Sequence, residues 1–466
     1  MKLKKIVSAV LLATAPVAAF ATNGMNLEGY GPVATAMGGA SMAYDNGAAA
    51  MMNNPATLGL MSEGSGIGVA LGFLGPDVST TVPVSSGGSG TAAKSGGNAY
   101  YMPAIGYVTK TGQLTYGVGV YSQGGMGTEY SSTSDLALGT NQNVRSEVGV
   151  GRLIFPLAYN VNDKLTVGGS IDWVWATMDI KMAATAQQFM AMATNMSSGM
   201  YSTMGTLMSS YGANTFRLDF SDNNDFSGAA KGTGFAGKLG LTYKISPVLT
   251  IGATYHSKTD LGDMETSTSG AAFSAYNSGA SLGPAVTGKI TIHNFQWPET
   301  YGLGMSYQVN DAWMVAADYK RINWSSVMKD FKMTYTTSNL GTGATEYADF
   351  KINQNWSDQD VFEIGASYKY SDALTLRFGA NIANNPVPND QVNPLFPAIE
   401  KNHITAGFGY RLSKQSGIDF SVTHAQRVTV TGSGVTGAAG SGDMGNYGTT
   451  ITHSQTNWQI QYGYRW

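Results

Sequence analysis

The 466-residue chain contains no cysteine, which excludes disulfides, thiol catalysis and thiolate metal sites. Charge is scarce as well: 12% of residues are charged and the formal net charge is −3, so no nucleic acid or other polyanion is implied as a partner. No stretch after the first twenty residues approaches the roughly twenty unbroken apolar residues of a membrane helix. A bundle of transmembrane helices is therefore excluded. Catalytic patterns are missing too. The five histidines, at 256, 293, 403, 424 and 453, show no H-E-x-x-H spacing, and no serine stands in a G-x-S-x-G elbow between a strand and a helix. Gly432 to Gly437 matches G-x-G-x-x-G, but a glycine-rich loop follows it instead of a helix. Asp219, Asp222 and Asp225 in RLDFSDNNDFSG lack the spacing of an EF-hand loop. His424, on the apolar side of SVTHAQRV, is the one histidine that suggests a hydrolase. The reading is no enzyme, no metal and no cofactor.

What the chain does have is glycine and aromatic residues: 60 Gly, 25 Tyr and 8 Trp. Met1 to Ala21, MKLKKIVSAVLLATAPVAAFA, carries lysines, then an apolar run, then small residues at Ala19 and Ala21 that suit signal peptidase. The mature chain is expected to begin at Thr22. An exported chain with low charge, many aromatics and many glycines fits a transmembrane β-barrel, in which lipid-facing apolar side chains alternate with small or polar lumen-facing ones.

The period-two test supports this. In NWQIQYGYRW, Trp458, Ile460, Tyr462, Tyr464 and Trp466 alternate with Gln459, Gln461, Gly463 and Arg465, one apolar face against one polar face. The same alternation recurs in VFEIGASYKY, ALTLRFGANI, NHITAGFGYRLS and KLTVGGSIDWVW. Short polar links at Tyr159 to Lys164, Lys244 to Val248, Gln308 to Ala312, Tyr370 to Ala373 and Leu412 to Gly417 read as periplasmic turns. The opposite ends carry long glycine- and serine-rich loops, at Gly124 to Asn143, Ala183 to Gly232, Thr259 to Ala285, Thr334 to Asp358, Asn384 to Asn402 and Thr431 to Gln455. The fold class expected is an all-β membrane protein, an antiparallel transmembrane β-barrel of about 14 strands. That count takes Ile290 to Val309 as one long strand.

Between signal and barrel lies MGGASMAYDNGAAAMMNNPATLGLM, Met37 to Met61, in which Asp45 is the single charge. It lacks alternation and is too small-residued to form its own core, so it is expected to plug the barrel. The domain reading is 1–21 signal peptide, 22–62 N-terminal hatch and 63–466 barrel with long extracellular loops. The hatch resembles that of the FadL family of outer-membrane transporters, with Asn54, Pro55 and Ala56 at the family's Asn-Pro-Ala motif. Trp324-Ser325, Asn385-Pro386-Val387-Pro388 and the long loop at Ala183 to Gly232 extend the resemblance over the mature chain.

Membership in that family implies a monomer in the outer membrane of a Gram-negative bacterium. It also implies uptake of hydrophobic compounds, above all long-chain fatty acids: capture at an outer groove, transfer to a lumenal pocket and sideways release past the hatch through the wall into membrane lipid. Aromatic or alkane hydrocarbons are the alternative ligands, and a general solute porin is the alternative function. Met192, Met196, Met200, Met204 and Met208 recur every four residues in the longest loop, so one helix would align them as an adaptable capture surface. For a carboxylate headgroup, Lys181, Lys289, His293, Lys329 and Arg427 trace to the outer half of the barrel, and alternation points Lys289, His293 and Arg427 inward. Inward charges in barrels also pair with one another, and Asp419 and Asp318 are available for that.

Overall fold

A computed structural model describes residues 22–224, 226–434 and 447–466. The expected signal peptide, Asp225, and Val435 to Gly437 of the G-x-G-x-x-G match lie outside the described residues. Among the described residues no helix is long and apolar enough to cross a membrane. The described residues instead form one 24-stranded sheet.

In chain order the strands are β1 (Gly64–Thr81), β2 (Ala92–Lys94), β3 (Tyr100–Thr111), β4 (Leu114–Tyr130), β5 (Val144–Asn160), β6 (Leu165–Thr185), β7 (Ala193–Met196) and β8 (Thr215–Phe220). They continue with β9 (Ala230–Lys244), β10 (Leu249–His256), β11 (Asp260–Leu261), β12 (Met264–Glu265), β13 (Ala271–Asn277), β14 (Ala280–Ser281), β15 (Val286–His293) and β16 (Thr300–Gln308). The remainder are β17 (Trp313–Ile322), β18 (Asp330–Thr337), β19 (Glu346–Asn353), β20 (Gln359–Lys369), β21 (Leu374–Ala383), β22 (Asn402–Arg411), β23 (Ser416–Thr431) and β24 (Thr450–Arg465).

The wall is an antiparallel ring. From β1 it runs through β3, β4, β5, β6, β9, β10, β16, β17, β20, β21, β22, β23 and β24, and β24 pairs back onto β1. Closure within one chain pairs the first strand of the ring with the last, so neither is left as an outer edge strand. The outer face is apolar: Leu239, Leu303, Phe362 and Ile364 are each more than half exposed, an arrangement that water penalises and lipid does not.

The expectation of about 14 strands is corrected, because eighteen strands are seven residues or longer. Ile290 to Val309 is not one strand. β15 ends at His293, Asn294 adopts a left-handed φ of 52°, and β16 starts only at Thr300. Segments read wholly or partly as glycine-rich loops also form strands: above the ring, β13 and β18 pair with β15, and β19 pairs with β18. Their runs are short and set among glycine, serine and asparagine, the residues that signal loops.

That upper layer, the canopy, includes two helices. α1 (Ala186–Met192) starts in a capping box between Thr185 and Gln188, and α2 (Ser198–Ser209) follows β7. Phe189 packs on Phe216, Phe273 and Phe350 with ring centres 4.8 to 5.6 Å apart, so the canopy has an apolar core of its own.

Residues 22–62 lie inside the ring and are almost all buried. The segment is built of short turns, among them a helical turn at Pro32–Ala36 and 3₁₀ turns at Gly47–Met51 and Pro55–Leu60. It fits because the wall offers it glycine. A Cβ at Gly240 would strike the Asn54 side chain, one at Gly252 the Met42 carbonyl, and one at Gly379 the Gly38 amide.

Candidate functional site

The wall parts at one place. β3 pairs with β1 up to Tyr100, and β4 pairs with β5 up to Tyr130, but β3 and β4 pair with each other only from Thr111↔Leu114 to Ile105↔Val120. Beyond Val120 the edge of β4 turns to the hatch. Its register against β5 shifts between Ser122 and Gly124, Gly124 forms a bridge with Asn26, and Gly125 N–H donates to the Met25 carbonyl at 3.2 Å. On the other side, Pro103 of β3 has no N–H to offer a neighbour. A bulge, a proline and a hatch strand that competes for hydrogen bonds together hold the gap open.

A cavity of about 360 Å³ passes through this gap. Its lining includes the buried, lumen-facing Thr22, Leu74, Tyr121 and Val150 and the exposed, lipid-facing Tyr101 and Val120. Gly125, Gly127, Gly149, Gly151 and Trp175 also line it, and the glycines leave the passage unobstructed. Its acidic and imidazole lining residues are Glu147, Glu400 and His453, and no lysine or arginine lines it.

The sequence-derived candidates lie elsewhere. The five methionines do not share a helix. Met192 ends α1, Met196 ends β7, and Met200, Met204 and Met208 lie on α2. Met192, Met200 and Met204 are buried in the canopy core, while Met208 is exposed. The regular spacing of four spans a break, because β7 intervenes and pairs with β19.

Glu346 of β19 anchors α2. It accepts hydrogen bonds from the Ser197 hydroxyl and from Met200 N–H. The Ser197 hydroxyl, helped by Thr342 and the backbone at the start of α2, holds the Glu346 carboxyl below its ordinary value of 4.5.

None of the basic candidates lines the cavity. Lys181 donates to Asn223 Oδ1, and Lys289 is paired with Glu265 at 2.8 Å. His293 contacts Asp263 and Thr334, each at 2.8 Å. Lys329 is exposed, and so is Arg427, at a bulge between Ala425 and Val428. Lys181, Lys289, His293 and Arg427 lie on strands that reach above the ring or end there, and Lys329 directly precedes β18. His424 is hydrogen bonded to Thr456 at 2.7 Å.

The lumen holds a different set of charges, around the hatch. Arg152 pairs with Asp172 at 2.8 Å, and Lys238 with the same carboxylate. Lys320 pairs with Glu363 at 2.9 Å, and Asp318 accepts from the Ser41 and Met42 amides. Each occupies a polar position in an alternating run, which was the signal available for them. Asn54 spans hatch and wall. Its Oδ1 accepts from Ala56 N–H at 3.1 Å, and its Nδ2 donates to Met42 O at 2.8 Å and to Leu241 O of β9 at 3.3 Å.

A closed barrel with an apolar outer face, an internal plug and an apolar passage through its wall defines a membrane channel for hydrophobic molecules. The family model described as "Outer membrane protein transport protein (OMPP1/FadL/TodX)" matches residues 8–466, and the chain belongs to that family. It is a family of transport channels and not of enzymes. The solved toluene transporter TodX of Pseudomonas putida is 30% identical, with a TM-score of 0.79 over 94% of this chain and 99% of that one. The long-chain fatty acid transport protein of Escherichia coli (strain K12) is 23% identical over 367 residues, 77% of this chain and 78% of that one. An uncharacterized protein of Chlorobium limicola is 61% identical over 71 residues, so the chain spans 34% of that relative's length and 15% of its own.

Proposed function

We propose that this outer-membrane channel takes up small neutral hydrophobic compounds of aromatic-hydrocarbon size and releases them sideways into lipid between β3 and β4. The observation that carries this reading is the cavity itself, which crosses the wall and has no lysine or arginine in its lining. A carboxylate entering it would lose its hydration without gaining a cationic partner, which argues against fatty acids. Size points the same way, because apolar cavities of roughly 150 Å³ already hold a benzene ring. The toluene transporter's 30% identity over nearly the full chain adds support. Lateral release has a physical rationale, since moving an apolar ligand through water forfeits roughly 0.8 kcal/mol of burial per methylene.

Capture is assigned to the canopy, where Met196 and Met208 are the more accessible methionines. The hatch, seated through Asn54, Pro55 and Ala56, closes the lumen to free solutes, unlike a general porin. The ring closes within one chain, so one chain forms one channel. Calorimetric titration with toluene and with decanoate tests the reading. Toluene is expected to bind at least tenfold more tightly than decanoate, and equal or reversed affinities would reject it.

A further inference from the structure

One polar feature of the cavity has no part in the passage of a hydrocarbon. Glu400 lies between β21 and β22 and is 1% exposed; His453 on β24 is 5% exposed. Both line the cavity. The imidazole Nδ1 sits against Glu400 Oε1 and 2.8 Å from the Pro397 carbonyl. With two acceptors beside it, Nδ1 carries the proton and donates. That leaves Nε2 of the imidazole and Oε2 of the carboxylate, both buried and both without a hydrogen-bond partner among the described residues. Buried polar atoms are as a rule satisfied by protein or by something bound. Here the two open polar atoms border a mostly apolar space walled by Leu74, Met102, Val148 and Val150, with Glu147 and Gln455 also in the lining.

Resting on the uptake reading above, we propose that Glu400 and His453 form a polar anchor that selects neutral aromatic compounds bearing one hydroxyl, the phenol and cresol class. The ring fills the apolar part of the cavity. The hydroxyl donates to Glu400 Oε2, a charge-assisted bond in a site poor in water. A hydrocarbon leaves both polar atoms open, and a carboxylate ligand meets the Glu400 charge head-on.

Toluene and p-cresol share a ring and a methyl group and differ by the hydroxyl. Their dissociation constants are measured by calorimetry for the mature chain in detergent and for the double variant Glu400→Leu with His453→Leu. The ratio of p-cresol affinity to toluene affinity is expected to fall about tenfold in the variant, the usual weight of one hydrogen bond to a charged group. A ratio that moves less than twofold overturns the anchor, while toluene binding to the parent still upholds the uptake reading. If the parent binds neither compound, the uptake reading itself fails and the anchor with it. Heat-modifiable gel migration reports whether the double variant folds. Should it not fold, Glu400→Gln removes the charge at nearly constant volume, and a fall of at least threefold in the same ratio is then the supporting result; an unchanged ratio rejects the anchor.

Discussion

The hatch seat and the canopy are held by different forces. The seat is directional and polar. Asp318 takes the Ser41 and Met42 amides, Thr405 takes the Gly38 amide at 2.9 Å, and Ser306 donates to the Ala43 carbonyl at 2.8 Å. Wall glycines bring the two backbones into contact. The canopy is held by phenylalanine and methionine, with Met200 and Met204 fully buried. Hydrogen bonds of fixed length define one position, whereas methionine-rich packing accepts rearrangement. A ligand arriving from outside therefore meets an adjustable layer first and a fixed plug second.

That contrast is sharpest in the response to mutation. Replacing Met200 and Met204 with serine removes buried apolar volume from the canopy, at a cost of about 2–5 kcal/mol per site. Hydrogen exchange is expected to show lost protection over α1 and α2 with the ring strands unchanged, and full protection in the variant would show that the canopy does not depend on these side chains. A smaller effect, about 1–3 kcal/mol, is expected when Asn54→Ala and Pro55→Ala remove the bond that braces the hatch turn against Met42 and the one that ties it to Leu241 of the wall. Here the canopy should keep its protection while ion conductance in planar bilayers rises from near zero. A double variant as tight as the parent would assign the motif to folding alone.

The smallest effect belongs to pH. The folded Glu346 carboxyl titrates below 4.5, so its contribution is present above that value and is lost as pH falls through the folded pKa. Protection against exchange at the start of α2, corrected for the intrinsic rate, should fall as pH drops below the ordinary value of 4.5, and Glu346→Gln should remove that dependence. An identical pH profile in the variant would dissociate Glu346 from the helix.

The alternation in NWQIQYGYRW was readable because lipid and lumen impose opposite demands on neighbouring residues. Ile460, Tyr462, Tyr464 and Trp466 are all exposed on the outer face. The gap was harder to read, since it depends on two strands failing to pair. Its traces were nonetheless in the sequence: Pro103 within a run that otherwise reads as strand, and the glycines of YSQGGMG at the β4 bulge. The rim cations were misplaced for a related reason. Tracing Lys289 and His293 up one continuous strand treated β15 as wall, although the left-handed turn at Asn294 separates it from β16. Glu400 and His453 come together from a loop and a strand some fifty residues apart, a distance over which spacing carries no signal.

The seam between β1 and β24 bears on how the barrel forms. Ser65 and Trp466 exchange backbone hydrogen bonds, each 2.9 Å long, although about 400 residues separate them. Loop closure over that span is entropically demanding, and contacts so distant in sequence slow folding. Until the seam zips, β1 and β24 each present a bare row of amides and carbonyls to any passing strand. The last contact to form is thus the one that removes the aggregation hazard, and assembly of this chain is expected to require a partner that shelters both edges in the meantime.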